Sequence, residues 1–220
     1  MTKRNKLNLS DRKSDKIFIL GGSFNPVHFG HIAMAESVHD KFSCDVVFVP
    51  NKSTYYKDND AFVSDKDRIN MLKLAIEDYD YMSVSDMEIR RGGVTHTIDT
   101  IRELKEEDPD RKIYFIIGGD SLEWVEKWVD ADELLGSVTF LTAVRGKTDR
   151  TRSKSIIEGI YSRHTDAAIL LLDMKDYPMS STDIRNKAAE GGDISDMVPV
   201  KVAEYIKEKG LYRRNSDGDR

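Results

Sequence analysis

Two histidines three residues apart, His28 and His31, follow an apolar run and a pair of glycines in the segment KIFILGGSFNPVHFGH. If they begin a helix, this spacing puts both rings on one face, so that both can reach one ligand. Such a pair either coordinates a metal ion or binds an anion such as phosphate. A metal site needs further ligands, and no nearby His, Cys and Asp cluster supplies them. The pattern favours phosphate, with two ordinary surface histidines as the alternative.

Gly21 and Gly22 stand directly after the apolar run that predicts the first strand. In parallel α/β sheets ligands bind at the carboxyl ends of strands, and glycine lets backbone N–H groups approach a phosphate closely. Neither the dinucleotide-binding glycine pattern nor a P-loop is present. A plain tight turn is an equally good interpretation of these glycines taken alone.

A second candidate anion site lies in the segment MSSTDIR, from Met179 to Arg185. Three hydroxyl residues open a predicted helix there, and Arg185 follows one turn later. Exposed amides, hydroxyls and a guanidinium can bind an anion without a P-loop. Such a string alone more commonly indicates a helix cap. Together with the histidine pair, it predicts a second phosphate clamp.

Alternating strands and helices must position these groups. Apolar runs rich in β-branched residues predict strands at 17–20, 45–49, 112–117, 137–141 and 167–172. Helical spacing predicts helices at 65–78, 97–107, 180–192 and 198–210. This alternation indicates βαβ units around a parallel sheet buried on both faces, followed by a helical C-terminal end.

The composition excludes several classes of protein. The chain has 220 residues, 39% of them hydrophobic, as in an ordinary globular protein. Its net charge of −5 argues against a general DNA- or RNA-binding surface, which needs a cationic face. No apolar stretch is long enough to span a membrane. The single cysteine, Cys44, cannot form an internal disulfide, which favours the cytoplasm. We expect a basic disordered tail at 1–15, one domain at 16–213 and a disordered tail at 214–220.

The combination of GGSFNPVHFGH and SSTDIR resembles the nucleotidyltransferase superfamily, with its H-x-G-H and S-S-T-x-I-R elements. More narrowly, THTIDTIREL, FIIGGDSLEWVEKWVDADELL and the ending MVPVKVAEYIKEKGLYR are similar to segments of bacterial nicotinate-nucleotide adenylyltransferases. The likeness runs from about Lys16 to Arg213. The predicted fold class is therefore α/β, a Rossmann-like doubly wound parallel sheet with a helical C-terminal end.

The resemblance implies adenylyl transfer from ATP to nicotinate mononucleotide, giving deamido-NAD and pyrophosphate, with Mg²⁺ carried on ATP. It implies a catalytic role for four residues: His28, His31, Lys57 and Arg185. The residues expected to bind ATP are Gly22, Ser23, Phe24, His28, His31, Asp120, Arg145, Ser180, Ser181, Thr182 and Arg185. Asp120 would bind a ribose hydroxyl; the alternative interpretation of its position is a helix N-cap, a role that is compatible with the first.

The resemblance also implies a mononucleotide site, with the residues Asn51, Lys57, His96, Thr97 and Trp128. Trp124, four residues before Trp128, is predicted to share its helical face as partial core. The chain departs from the family in PNKSTYYK, where Tyr56 replaces a histidine and a proline pair is missing, and at Asn25 and His96, where the family often has aspartate and tyrosine.

These departures leave three alternatives open. The acceptor could be nicotinamide mononucleotide or another small phosphate such as phosphopantetheine, and the chain could be a non-catalytic nucleotide sensor. The segments THTIDT and EKWVDADEL favour the pyridine mononucleotide, and the intact histidine pair favours catalysis. The sequence leaves open whether the protein is a monomer or a homo-oligomer.

Overall fold

The computed structural model describes residues 15–52, 63–144, 146–174 and 177–213. Within these ranges the strands form one six-stranded parallel sheet in the order β3-β2-β1-β4-β5-β6. The strands are β1 (Lys16–Gly22), β2 (Val46–Pro50), β3 (Met82–Val84), β4 (Lys112–Gly118), β5 (Thr139–Val144) and β6 (Ala168–Asp173).

Helices connect these strands and end the described chain. They are α1 (Phe29–Phe42), α2 (Asp65–Ala75), α3 (Met87–Arg91), α4 (Thr97–Glu107), α5 (Gly119–Leu122), α6 (Ala131–Ser137), α7 (Gly146–Arg163), α8 (Ser181–Ala189) and α9 (Val200–Lys209). A 3₁₀ turn at Val125–Lys127 lies between α5 and α6.

Helices cover both faces of the sheet, and successive side chains of a strand point to opposite faces. Each strand therefore contributes buried side chains to both layers. In β1, Phe18 and Leu20 pack into one apolar cluster with residues of α1, α2, α8 and α9. Ile17 and Ile19 pack into the other, with residues of α3 to α7. This explains why the strands read as continuous apolar runs, and it sets the C-terminal helices on the same face as α1 and α2.

The strand order reverses direction at β1, which pairs with β2 on one side and β4 on the other. Chain connections diverge at such a point, and the crevice beyond the carboxyl ends of the two strands is where ligands bind in open α/β sheets. Here β1 ends at Gly22 and β4 ends at Gly118. The predicted site residues that directly follow β1 and β4 therefore lie at this crevice.

The predicted fold class is confirmed, and the elements differ in detail. The strand β3 has three residues, too few to show an apolar run, and was not predicted. The helix predicted at 65–78 ends at Ala75, and the strand predicted at 137–141 begins at Thr139 because Ser137 ends α6. Except for Asp15, the tails predicted at 1–15 and 214–220 lie outside the described residues.

Candidate active site

The last two residues of β1, Gly21 and Gly22, are packed closely against aromatic rings. A Cβ atom on Gly21 would lie 2.7 Å from the ring of Phe115, and one on Gly22 would lie 3.2 Å from the ring of Phe24. Ring packing therefore favours glycine at both positions. The backbone at Gly22 and Ser23 nevertheless lies at the carboxyl end of β1, where a parallel sheet presents its ligand site.

Phe24 holds this turn from inside. Its backbone is left-handed, with φ of 47°, which costs about 1–3 kcal/mol for a bulky residue. Its ring is fully buried, 5.6 Å from the Phe48 ring centroid and edge-on to His31 at 5.0 Å. Burying a phenylalanine ring contributes about 2 kcal/mol, enough to offset most of that strain. The predicted phosphate contact of Phe24 therefore falls to its backbone N–H.

The two histidines form one unit at the start of α1. His28 precedes the helix as its N-cap residue, and its backbone N–H donates to Nδ1 of His31 over 3.2 Å. The ring centroids are 3.8 Å apart. Because Nδ1 of His31 accepts this hydrogen bond, a neutral ring carries its proton on Nε2. The local fold thus selects the tautomer in which Nε2 carries the proton and is the hydrogen-bond donor.

Gly30, between the two histidines, leaves room for the His28 ring. A Cβ atom at this position would lie 3.0 Å from both Cε1 and Nδ1 of that ring. The His28 side chain is 7% exposed, so it has little space to move aside. The glycine of the H-x-G-H pattern therefore has a steric reason here.

The start of α8 packs on the same turn, although it lies more than 150 residues away along the chain. The Ser181 hydroxyl donates to the carbonyl of Pro26 over 2.9 Å, and Arg185 Nη1 donates to the carbonyl of Asn25 over 2.9 Å. Arg185 Nη2 also donates to Thr182 Oγ1 over 3.1 Å. The structure therefore brings the two predicted phosphate segments together.

Ser180 caps α8, as its sequence pattern predicts. The backbone N–H of Asp183 donates to Ser180 Oγ over 3.2 Å, and the backbone N–H of Ser180 donates to Asp183 Oδ2 over 3.0 Å. Both α1 and α8 begin beside the turn at 25–28. The amino end of a helix carries partial positive charge, so two such ends in one place favour an anionic ligand.

Three of the predicted mononucleotide residues, Asn51, His96 and Thr97, lie in or next to segments that meet at the carboxyl end of β2. The backbone N–H of Asn51, which follows β2, donates to the carbonyl of Gly22 over 3.0 Å. The next residue, Lys52, donates its backbone N–H to Thr95 Oγ1 over 3.2 Å. His96 is the N-cap residue of α4, and Thr97 is its first residue. These contacts join Gly22, Asn51 and the loop before α4 into one wall.

Trp128 packs edge-on against Phe115 and Phe140, with ring centroids 6.4 Å and 6.2 Å away, on the α4 face of the sheet. The prediction that Trp124 is partial core is wrong. Trp124 is 55% exposed, and Lys127 Nζ lies 4.2 Å from its ring centroid. The 3₁₀ turn between the two tryptophans explains the difference, because the i,i+4 alignment of an α-helix is lost there.

Asp120 lies in α5, which begins directly after β4. Gly118 is the N-cap residue of α5 and Asp120 makes no capping hydrogen bond, so the alternative of an N-cap role is wrong. The Asp120 side chain is exposed, near the carboxyl end of β4 where the crevice lies. Lys57 and Arg145, two further predicted site residues, lie outside the described ranges.

Arg68 was missed by the sequence reasoning, although it is fully buried beside the site. Its guanidinium donates to the carbonyls of Ser23 and Asn51, each over 2.5 Å. A sequence signal existed, because Arg68 shares the inner face of α2 with the buried residues Met71, Leu72 and Ala75. An arginine on an apolar helix face indicates a buried polar contact.

Tyr212 was also missed as a site residue. Its buried hydroxyl donates to Asn25 Oδ1 over 2.8 Å, so the chain after α9 returns to the turn that precedes His28. Burial raises the pKa of the Tyr212 phenol, which keeps the hydroxyl protonated as a donor. Nothing in the local sequence near Tyr212 indicates this partner, which lies 187 residues away.

Glu88 is a buried carboxylate that braces the loop before α4. Thr100 donates its hydroxyl to Glu88 Oε1 over 2.6 Å and accepts a hydrogen bond from Arg91 Nη2 over 3.0 Å. Burial raises the pKa of Glu88, although the Thr100 hydrogen bond and the Arg91 charge act in the opposite direction. This chain ties α3 to α4 across the loop that contains His96.

Metal-binding clusters and membrane-spanning helices are both absent from the described residues, 15–52, 63–144, 146–174 and 177–213. In those ranges, no three His, Cys, Asp or Glu side chains come together in a group that could hold a metal ion. No helix in the same ranges is both long and apolar enough to cross a membrane.

Comparisons with known proteins identify the family of this chain. The cytidylyltransferase-like family model matches residues 19–187. A probable nicotinate-nucleotide adenylyltransferase of Dehalococcoides mccartyi (strain CBDB1) is 36% identical over 204 residues, covering 90% of this chain and 98% of that protein. A protein with the same name from Synechococcus sp. (strain JA-3-3Ab) is 37% identical over 203 residues, covering 92% of this chain and 97% of that protein.

A solved structure of Plasmodium falciparum nicotinic acid mononucleotide adenylyltransferase, complexed with NaAD, shares the fold with a TM-score of 0.74. It is 22% identical in sequence, and the alignment covers 90% of this chain and 97% of that chain. The family model covers residues 19–187 and the relatives match about nine-tenths of the chain, which confirms the family predicted from the resemblance of its motifs. The chain belongs to the cytidylyltransferase-like nucleotidyltransferases and, among them, to the nicotinate-nucleotide adenylyltransferases.

Proposed function

We propose that this protein transfers the adenylyl group of ATP to nicotinate mononucleotide, giving deamido-NAD and pyrophosphate in NAD biosynthesis. The observation that carries the proposal is the contact between the start of α8 and the turn at 25–28. Ser181 and Arg185 bind the carbonyls of Pro26 and Asn25 beside the histidine pair. This groups two helix amino ends, two imidazoles and a guanidinium around one crevice, which suits a polyphosphate.

The names of the relatives support the same acceptor. The bacterial relatives are named for nicotinate-nucleotide adenylyl transfer. The structural neighbour from Plasmodium falciparum was solved with NaAD and also with APC. These relatives are 36–37% identical over about nine-tenths of this chain, which supports nicotinate mononucleotide as the acceptor.

The reaction is a direct displacement at phosphorus. An oxygen of the mononucleotide phosphate attacks the α-phosphorus of ATP, and this new P–O bond forms as the bond to the β-phosphate oxygen breaks. Pyrophosphate leaves with the electron pair, so no covalent enzyme intermediate and no protein base are required. Catalysis then depends on in-line positioning and on neutralising the charge that develops on the leaving group.

His28 and His31 bind the ATP phosphates in this proposal and stabilise the departing pyrophosphate. The hydrogen bond that His31 Nδ1 accepts keeps its Nε2 proton available for that contact. Backbone amides at Gly22, Ser23 and Phe24 contribute further donors. The remaining ATP contacts come from Asp120, Arg145, Ser180, Ser181, Thr182 and Arg185.

The mononucleotide lies against the wall formed by Asn51 and the loop before α4. Asn51, His96 and Thr97 provide polar groups, and Trp128 provides an aromatic surface for the pyridine ring. Lys57 binds the mononucleotide and assists transfer as a cation. Mg²⁺ enters as part of the substrate, on the phosphates of ATP, because this ion takes few dedicated protein ligands.

We also propose that residues 16–213 form the catalytic domain and that the protein works in the cytoplasm. The single Cys44 supports the latter, because it cannot form the internal disulfide that is common in oxidising compartments. Burial raises the pKa of its thiol to about 11, which makes it unreactive and suits a packing role.

Pyrophosphate release from Mg-ATP tests the proposal, with nicotinate mononucleotide, nicotinamide mononucleotide and phosphopantetheine as parallel acceptors. We expect release to be fastest with nicotinate mononucleotide, with deamido-NAD as the adenylylated product. Faster release with either of the other acceptors would keep the chemistry and replace the substrate. ATP binding without release in all three assays would contradict an enzymatic role and favour the nucleotide sensor.

A further inference from the structure

Arg68 is a buried charge that the proposed mechanism does not use. It lies one turn inside α2, its side chain is 0% exposed, and it faces the carboxyl ends of β1 and β2. Removing a guanidinium from water is costly unless every side of it finds partners of good geometry. The identity of those partners therefore indicates what this arginine does.

The two terminal nitrogens of Arg68 bind two different loops. Nη1 donates to the carbonyl of Ser23 over 2.5 Å and to Asn51 Oδ1 over 3.3 Å. Nη2 donates to the carbonyl of Asn51 over 2.5 Å and to Asp65 Oδ1 over 2.6 Å. One rigid, planar group thus spans the turn after β1 and the residue that follows β2.

Asp65 supplies the countercharge. Its Oδ2 also binds Lys52 Nζ over 2.5 Å, so this carboxylate lies between two cations. Lysine at position 68 would keep the positive charge but lacks the planar fork that reaches both loops at once. Charge alone is thus insufficient, and the shape of the guanidinium matters.

These partners belong to opposite halves of the proposed site. Ser23 is on the ATP side, and Asn51 is on the mononucleotide side. We propose that Arg68 is a positioning residue that sets the spacing between the two substrate half-sites. This inference rests on the proposed function, because it needs two substrates that react directly with one another.

Direct transfer makes this spacing important for turnover and unimportant for binding. The attacking oxygen and the α-phosphorus must meet at roughly 3–3.5 Å, and a misplacement of about 1 Å can reduce the rate about 100-fold. Each substrate bound alone contacts its own half-site, whatever the distance to the other. A loss of spacing should therefore lower kcat while leaving each dissociation constant nearly unchanged.

The test is Arg68→Lys, with the dissociation constants of ATP and nicotinate mononucleotide measured separately by calorimetry and kcat measured at saturation. We expect each dissociation constant to stay within about 3-fold of wild type and kcat to fall at least about 30-fold. A normal kcat would overturn the proposal. So would dissociation constants that weaken as much as kcat falls, since that pattern indicates general damage to the site.

Arg111→Lys is the matched control. Arg111 is also a buried arginine, paired with Glu107 at 3.3 Å and Asp108 at 3.5 Å. It directly precedes β4, at the amino ends of the strands and away from the proposed site. We expect it to lower the melting temperature without changing kcat. If it reduces kcat as much as Arg68→Lys does, stability rather than spacing is responsible and the proposal fails.

Asp65→Asn provides a second variant in case Arg68→Lys does not fold. It leaves Arg68 in place and removes the charge that holds the guanidinium, so kcat should fall about 3- to 10-fold with unchanged dissociation constants. An unchanged kcat in this variant would contradict the inference. All variants are compared with wild-type turnover on its best acceptor, so a wrong acceptor in the proposed function would be visible separately.

Discussion

The two predicted phosphate-binding segments, which meet in this site, are built in opposite ways. The turn at 23–28 is largely buried, with Asn25 1% exposed and His28 7% exposed. The start of α8 is mostly exposed at Ser180, Thr182 and Asp183, and only half-buried at Ser181 and Arg185. One segment is part of the core, whereas the other is a helix end laid against it.

They also differ in how they are held. Arg68 binds the carbonyl of Ser23, Tyr212 binds the side chain of Asn25, and Phe24 is fixed in the core. The start of α8 reaches the turn through Ser181 and Arg185 and is otherwise stabilised by its own cap. A rigid segment can place donors for the charge that develops during transfer. We therefore expect the turn to control kcat and α8 to control ATP affinity.

The largest effect should follow His31→Ala. In the proposed mechanism this change removes the ring whose Nε2 proton binds the departing pyrophosphate, so kcat should fall about 100- to 1000-fold, as for loss of one donor to a transition-state oxyanion. Steady-state pyrophosphate release measures it, and circular dichroism should show an unchanged fold. A kcat within threefold of wild type would break the comparison, because the buried segment would then not control turnover.

Gly30→Ala should have the next largest effect. The new Cβ atom would lie 3.0 Å from the His28 ring, so the ring must shift, and kcat should fall about 10- to 100-fold. Gly136→Ala is the matched control, because a Cβ atom there meets nothing within 4 Å in α6. The control should keep its activity and gain about 0.5–1 kcal/mol of stability. Equal activity in both variants would show that the His28 position does not matter.

Arg185→Ala tests the exposed segment. In the proposed mechanism Arg185 makes a charge-assisted contact with the ATP phosphates, so its loss should raise KM for ATP about 10- to 100-fold, with kcat changed by less than about 5-fold. Initial rates over a range of ATP concentrations separate the two constants. If kcat falls and KM stays constant, α8 acts on the transition state as the turn does, and the contrast between the segments is wrong.

Tyr212→Phe should produce the smallest effect. It removes one buried hydrogen bond to Asn25, so the free energy of unfolding should fall by about 1 kcal/mol. The backbone carbonyl of Asn25 also accepts a hydrogen bond from Arg185, which links the two segments. We therefore expect kcat and KM for ATP to change together, by about 2- to 5-fold. Urea unfolding and initial rates measure these changes. Unaltered kinetics with reduced stability would limit Tyr212 to a purely structural role.

Much of the scaffold was predictable because its signals are local. Continuous apolar runs identified five of the six strands in the sheet, and the cap residues identified α8. The strand β3 was missed because Met82–Val84 is too short for a periodic signal. Trp124 was misjudged because the helical periodicity assumed there is replaced by a 3₁₀ turn.

The contacts that shape the site were not predictable in the same way. Arg68, Tyr212 and Glu88 each bind partners in other elements, and the Tyr212 partner lies 187 residues away. Of these three residues, only Arg68 gave a sequence signal, as a charged residue on the apolar face of α2. That signal does not identify the partners of Arg68, because they depend on where β1 and β2 end in space.

The sequence by itself determined the α/β fold class, the histidine pair and the α8 segment, because apolar periodicity, capping residues and spacing act over a few neighbouring residues. The tertiary structure alone decided that α8 meets the turn at 25–28 and that Arg68 joins Ser23 to Asn51. The physical reason is that a buried polar group must find its partners wherever the packed sheet brings them, at any distance along the chain.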